Sequence, residues 1–153
     1  MKPFIAITLI TLILHGANDL PTPYPIAKNT NYVPGLGDIM GTIQIRHAKL
    51  WFAGKMKNWE LAAYELDEIK EALDDTVKYH PNFKDKPIAK MIDSNTLQPT
   101  SQIEQAIKNK NYKEFVKSFD KLSDACTSCH QSSGYGFISI KRPTHSLISN
   151  QKF

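Results

Sequence analysis

Apolar residues recur at alternating intervals of three and four residues along most of this chain, and this spacing constrains the fold more than any other feature. It places the side chains concerned on one stripe of an α-helix. It is clearest from Trp59 to His80, where Asn58 is a favourable N-cap and Pro81 forbids continuation of the helix. Helical spacing also predicts helices over Leu36 to Gly54, Ile103 to Ile107 and Tyr112 to Cys129.

The third helix is predicted to be short. Between Phe83 and Pro99 the apolar pattern is interrupted, which predicts a long connection with at most a short helical piece around residues 88–92. Thr100 or Ser101, with Glu104 close behind, then opens the helix. Four amphipathic helices bury their stripes by packing together, so we expect an all-α domain, an up-down four-helix bundle. The alternative is a three-helix domain with the third helix draped across it.

The composition excludes several classes of function. The chain has 153 residues, of which 41% are hydrophobic and 22% charged, as is typical of one globular domain. Its formal charge of +4 includes no run of basic residues, so nucleic acid is not an expected partner. Two cysteines cannot build a disulfide framework, and the seven glycines form no phosphate-binding or dinucleotide-binding pattern.

The first twenty residues predict export. Lys2 precedes an uncharged run from Phe4 to Leu14, which is the layout of a secretory signal peptide with cleavage between Gly16 and Leu20. The run is shorter than the about 20 residues that a membrane-spanning helix needs, although a retained anchor helix is the alternative. We therefore expect a periplasmic protein without stable membrane insertion. Residues 21–34 contain four prolines and should form an extended arm.

A C-x-x-C-H motif, Cys126-Thr127-Ser128-Cys129-His130, lies at the end of the last predicted helix and is the attachment signature for c-type haem. On a helix the two sulfurs lie on one side, where they can form thioethers with the two vinyl groups of a porphyrin. His130 can then bind the iron. The alternatives are a thioredoxin-like redox pair, a local disulfide or half of a zinc site. A thioredoxin pair belongs at a strand-to-helix junction, and no further cysteine completes a zinc site.

The residue on the other side of the iron separates two functions. In an antiparallel bundle the start of the first helix lies beside the end of the fourth, so Met40 is expected opposite His130. Ligation by His and Met raises the reduction potential towards that of electron carriers. Alternatively, Met40 only fills space and the iron is five-coordinate. His47 is an alternative sixth ligand, a distal hydrogen-bond donor or a buried histidine satisfied by a neighbour. Haem propionates are expected to pair with Arg46 and Arg142.

With this motif on the terminal helix of a small exported bundle, the chain resembles the cytochrome c′ and cytochrome c-556 family over residues 35–134. The resemblance implies one covalent haem c in that helical domain. A first-helix residue faces the other side of the iron in this family, as a Met ligand in the c-556 type and a non-coordinating apolar residue in the c′ type. Met40, in LGDIMGTIQIRHAKLW, stands at about that place and favours the six-coordinate type. The c′ type binds NO or CO and dimerises through its first two helices, so the resemblance also implies a homodimer.

The expected function is therefore that of a monohaem electron carrier, which exchanges electrons with redox partner proteins and is not an enzyme. Five-coordinate binding of a diatomic gas, NO or CO, is the alternative. Peroxide chemistry is disfavoured because no distal pair of His and Arg stands at convincing positions. The chain departs from the family in its interrupted third helix, in His47 and in a C-terminal tail, residues 135–153. Tyr135 and Phe137 are expected to fold that tail over the haem edge.

Overall fold

The computed structural model describes residues 32–146 and 148–153. Within these residues the chain forms four α-helices and no strand, which confirms the all-α four-helix architecture. None of these helices combines the length and apolar character needed to span a membrane. The predicted signal peptide and nearly all of the predicted arm lie outside the described residues. The helices are α1 (Leu36–Lys55), α2 (Trp59–Tyr79), α3 (Ile88–Lys108) and α4 (Tyr112–Ser132).

Two helical hairpins of the same construction build the bundle. α1 is joined to α2 through Lys57 and Asn58, and α3 is joined to α4 through Lys110 and Asn111. Each lysine has a positive φ, 59° and 51° respectively, which ends the preceding helix in a left-handed residue. Each asparagine then caps the next helix, since its side chain accepts a hydrogen bond from the backbone N–H three residues on. Connections this short make the joined helices antiparallel neighbours.

The prediction of a short third helix is wrong, because α3 runs unbroken through Pro99. Proline removes one helical N–H, and the threonines on either side of it bond back to carbonyls four residues earlier in the same helix. Thr96 Oγ1 donates to the Ile92 carbonyl at 2.9 Å, and Thr100 Oγ1 donates to the Thr96 carbonyl at 2.7 Å. The buried stripe of α3 is continuous, but its middle positions are threonine and proline where the helical pattern would favour larger apolar residues. The stripe includes Ile88, Ile92, Thr96, Pro99, Ile103 and Ala106.

α1 and α4 pack tightly at one end and separate at the other. Near the end of α1, a Cβ on Gly54 would lie 2.1 Å from the ring of Phe115, so only glycine admits this approach to α4. Phe115 and Phe119 are fully buried there. At the start of α1, by contrast, a Cβ on Gly37 or Gly41 would meet nothing within 4 Å. The bundle therefore opens between the first turns of α1 and the last turns of α4.

The C-terminal tail returns along α4 instead of leaving the bundle. Gly134 takes a φ of 85°, and the Tyr135 N–H donates to the His130 carbonyl at 2.7 Å as the chain reverses. Further along, the guanidinium of Arg142 pairs with the Asp120 carboxylate on α4. The Phe153 ring packs against Phe52 of α1, with 5.5 Å between ring centroids. The tail is thus part of the folded domain.

Candidate functional site

An apolar cavity of about 420 Å³ occupies the open end of the bundle. α1 supplies one wall and the end of α4 supplies another. Leu73 of α2 and the first turns of α3 contribute more of the lining, and the tail closes the cavity with Tyr135, Ile138 and Ile140. The structure brings the two cysteines and all the candidate iron ligands to this one cavity, since its lining includes Met40, His47, Cys126, Cys129 and His130.

The two cysteines lie three residues apart on α4 and line the cavity as free thiols. Burial raises the pKa of Cys126 to about 12, with a smaller contribution from the neighbouring Cys129, and burial also raises the pKa of Cys129. The pair also lies in the last turns of its helix, where the helix dipole disfavours a thiolate. A reactive redox pair needs the opposite conditions, a lowered pKa and a helix N-terminus. These thiols are therefore protonated and weakly nucleophilic at neutral pH.

His130 has one ring nitrogen engaged and one available. Nδ1 lies 3.0 Å from the backbone carbonyl oxygen of Ile138 in the tail. A carbonyl can only accept a hydrogen bond, so Nδ1 carries the proton and the neutral ring keeps the lone pair of Nε2. A metal-binding histidine is normally fixed in this manner, through a second nitrogen that donates to a carbonyl or carboxylate. His130 thus has the tautomer that an Nε2 ligand requires.

Met40 and His47 reach the cavity from α1 but differ in how they are held. Met40 is half-buried, packs against the core and lines the cavity. His47 is buried, and its Nε2 lies 2.9 Å from Ser123 Oγ on α4. Because Ser123 Oγ donates its own proton to the Phe119 carbonyl, it accepts from the His47 Nε2–H. This bond favours the interpretation of His47 as a buried histidine satisfied by a neighbour.

Burial lowers the pKa of His47 from 6.5 to about 4. Between these two pH values His47 is protonated in the unfolded chain but not in the folded chain. The folded domain therefore loses stability as the pH falls. We expect His47 to contribute a loss of about 2 kcal/mol in the free energy of unfolding between pH 7.5 and 5.0. Urea unfolding of the wild type and of His47→Gln, which keeps a donor for Ser123 but does not titrate, measures this difference. Identical pH dependence of the two proteins would contradict it.

The two arginines expected to pair with haem propionates are engaged elsewhere. Arg46 contacts carboxylates of α2, with Nη1 3.2 Å from Glu65 Oε2 and Nη2 2.7 Å from Glu68 Oε2. Arg142 pairs with Asp120 and lies over the ring of Trp51, 4.6 Å from its centroid. Neither arginine lines the cavity. Both arginines form ion pairs with carboxylates on neighbouring helices, and the sequence alone does not show that these side chains lie close together.

Sequence reasoning missed two parts of the cavity wall. One is the start of α3, where Ile88 and Ile92 line the cavity because the helix begins earlier than predicted. The other is Ile138 and Ile140 of the tail. The alternation in Phe137-Ile138-Ser139-Ile140 was the available signal, since an extended segment places its two isoleucines on one side. Phe137 points outwards and is 80% exposed, so only Tyr135 of the two predicted aromatic residues covers the cavity.

Comparison with known proteins adds no relative. No protein-family model, no curated protein and no solved structure matches this chain. Within the described residues, no group of three or more His, Cys, Asp or Glu side chains is arranged to hold a metal ion. Functional inference accordingly rests on the cavity and on the residues that line it.

Proposed function

We propose that this protein is an exported monohaem c-type cytochrome that transfers electrons through haem iron. The observation that carries the proposal is the convergence of Cys126, Cys129 and His130 on one apolar cavity, with Met40 on another wall of it. The motif alone predicts haem attachment by sequence. All three residues of the motif also line one cavity, and this observation supports haem attachment independently of their spacing in the sequence.

The cavity residues fit a haem. A volume of about 420 Å³ lies in the range of roughly 300–1,000 Å³ that is usual for ligand and cofactor sites. The lining is predominantly apolar, as a porphyrin face requires, and it includes two thiols, a thioether and two imidazoles beside the polar side chains of Gln44, Thr96, Ser133 and Tyr135. When bound, haem supplies a one-electron couple between ferric and ferrous iron.

Each predicted site residue has one task in this proposal. Cys126 and Cys129 would each hold the haem through a thioether, formed by addition of S–H across one vinyl group with sulfur on one carbon and hydrogen on the other, so that no oxidant or leaving group is needed. His130 would bind the iron through Nε2, and the Ile138 carbonyl holds its other nitrogen. Met40 would bind the iron through its thioether, which would raise the reduction potential. The apolar walls limit access of water to the iron.

A redox-active disulfide is the less well supported alternative. The pKa of each thiol is raised by burial, and the pair lies at the end of a helix in a domain whose described residues form no strand. A second haem function has one observation in its favour. The cavity around Met40 is lined by branched aliphatic side chains, among them Ile43, Leu73 and Ile92, which suit an uncharged diatomic gas if Met40 does not bind iron.

The direct test is expression of the full chain, with its own leader, in a bacterial host that matures c-type cytochromes. We expect a red protein whose intact mass exceeds that of the processed polypeptide by one haem. Its colour should survive denaturation and acidic acetone, because thioether bonds are covalent. Recovery from the periplasm, with a new N-terminus between Gly16 and Leu20, tests the export prediction. Colourless protein with the mass of the bare polypeptide would overturn the proposal.

A further inference from the structure

Thr127, a variable position of the C-x-x-C-H motif, ties the tail to α4. Its Oγ1 accepts a hydrogen bond from the Ile140 N–H at 2.9 Å and lies 3.2 Å from the Ile140 carbonyl oxygen. It also lies 3.1 Å from the Ser123 carbonyl, one turn earlier on α4. One side-chain oxygen therefore contacts both backbone polar groups of a single tail residue. Ser128, the other variable position, is exposed.

This tie acts two residues away from the carbonyl that holds His130. Ile138, whose oxygen accepts the His130 Nδ1 proton, is 38% exposed and lies in a non-helical segment. Upstream, the Tyr135 N–H donates to the His130 carbonyl, and the Ile138 N–H donates to the Tyr135 carbonyl at 2.9 Å. Downstream, the next anchor is Ile140 on Thr127. The position of the Ile138 carbonyl therefore depends on an attachment at each end, and Thr127 supplies the second.

We propose that Thr127 is a positioning residue that, through Ile140, holds the Ile138 carbonyl on His130 and so keeps Nε2 free for the haem iron. The role of the iron in this inference rests on the proposed function, whereas the effect on the imidazole tautomer does not. Thr127 does not line the cavity, so its hydroxyl reaches His130 through the tail and makes no direct contact with the site. The tail is accordingly part of the haem site and not an appendage to it.

The first measurement uses the holoprotein. A hydrogen bond from Nδ1 to a carbonyl makes the imidazole a stronger donor and favours ferric iron, so Thr127→Val should raise the reduction potential. Partners of this kind change metal affinity about tenfold or more, and a tenfold loss confined to the ferric state raises a one-electron potential by about 59 mV. Thr127→Ser, which keeps the hydroxyl, and Ser128→Ala, the matched control within the motif, should both retain the wild-type potential. A wild-type potential in Thr127→Val would overturn the proposal.

The second measurement needs no haem. In the full chain carrying Cys126→Ala and Cys129→Ala, nitrogen NMR should find the His130 proton on Nδ1, and adding Thr127→Val should move a large fraction of it to Nε2. An unchanged tautomer would refute the positioning role even if the wild type binds haem. If the wild type carries no haem, the proposed function fails while this measurement still decides the inference.

A third measurement needs no substitution at Thr127. It tests the hydrogen bond between Thr127 and Ile140 even if Thr127→Val does not fold. Hydrogen exchange of the wild-type chain should show the Ile140 amide protected well beyond the neighbouring Ser139 amide, because only the former donates to Thr127. Exchange of both amides at the rate of an unstructured peptide would show that the tie is not formed.

Discussion

The double substitution Cys126→Ala and Cys129→Ala should abolish covalent haem attachment entirely. Both thioether sulfurs are removed, and no other cysteine exists in the chain to replace them. Alanine is the best helix former, and both positions lie on the cavity wall of α4, where Cys126 packs only against the edge of the core, so the bundle should still fold. Intact mass and absorption after acidic acetone extraction measure the result, and all haem should be extractable.

The single variants sharpen this expectation. Cys126→Ala and Cys129→Ala should each retain haem through one thioether, and the spectrum of the extracted chromophore should show one unreacted vinyl group. Ser128→Ala is the matched control, because it changes the same turn of α4 without touching a sulfur, and it should carry haem as the wild type does. Covalent haem in the double variant, or its loss in the control, would contradict the assignment of the two sulfurs.

The parts of the fold that the sequence predicts are those governed by local interactions. Asn58 and Asn111 cap helices with their own side chains, and α2 ends at Tyr79, two residues before Pro81. The length of α3 was mispredicted because it depends on contacts with other helices and not on local interactions. Pro99 and the polar residues before it disfavour a helix locally, but burial of Ile92 and Ile103 against the other helices outweighs that local preference.

The candidate site was predictable only in part, because its residues come from distant parts of the chain. The motif fixes Cys126, Cys129 and His130, since all three belong to one helical segment. That Met40 reaches the same cavity follows from antiparallel packing of α1 and α4. The hydrogen bond from His130 to Ile138 does not follow from any pattern, because it depends on the tail reversing at Gly134 and binding back to α4.

The pairing of the arginines was also mispredicted because it depends on residues that are distant in the sequence. A positive charge near a predicted haem site is a reasonable partner for a propionate, yet Arg46 bonds to the nearly fully buried Glu65 of α2. A buried carboxylate needs a countercharge, so this pairing takes precedence over a ligand at the cavity. Sequence shows the charges but not which helix faces bring them together.

Substitution Met40→Ala should convert the ferric protein from low-spin to high-spin and lower its reduction potential. The thioether favours ferrous iron, and the identity of the axial ligands sets haem potentials over a range of about 0.8 V, so loss of one ligand should produce a fall on the order of 100 mV or more. Met56→Ala is the matched control, because it removes a thioether that is 63% exposed and does not line the cavity. Absorption spectra and redox titration of the three proteins measure both effects.

The wild-type spectrum already separates the two haem functions. Low-spin ferric iron that becomes high-spin only in Met40→Ala supports an electron carrier with His130 and Met40 as axial ligands. A wild type that is already high-spin, and whose ferrous form binds CO rapidly, would refute ligation by Met40 and favour binding of a diatomic gas in the aliphatic surroundings of Ile43 and Ile92. A low-spin spectrum that Met40→Ala leaves unchanged would instead implicate His47. Ligation through Nε2 would require this histidine to give up its bond to Ser123, so His47→Gln should then be the variant that becomes high-spin.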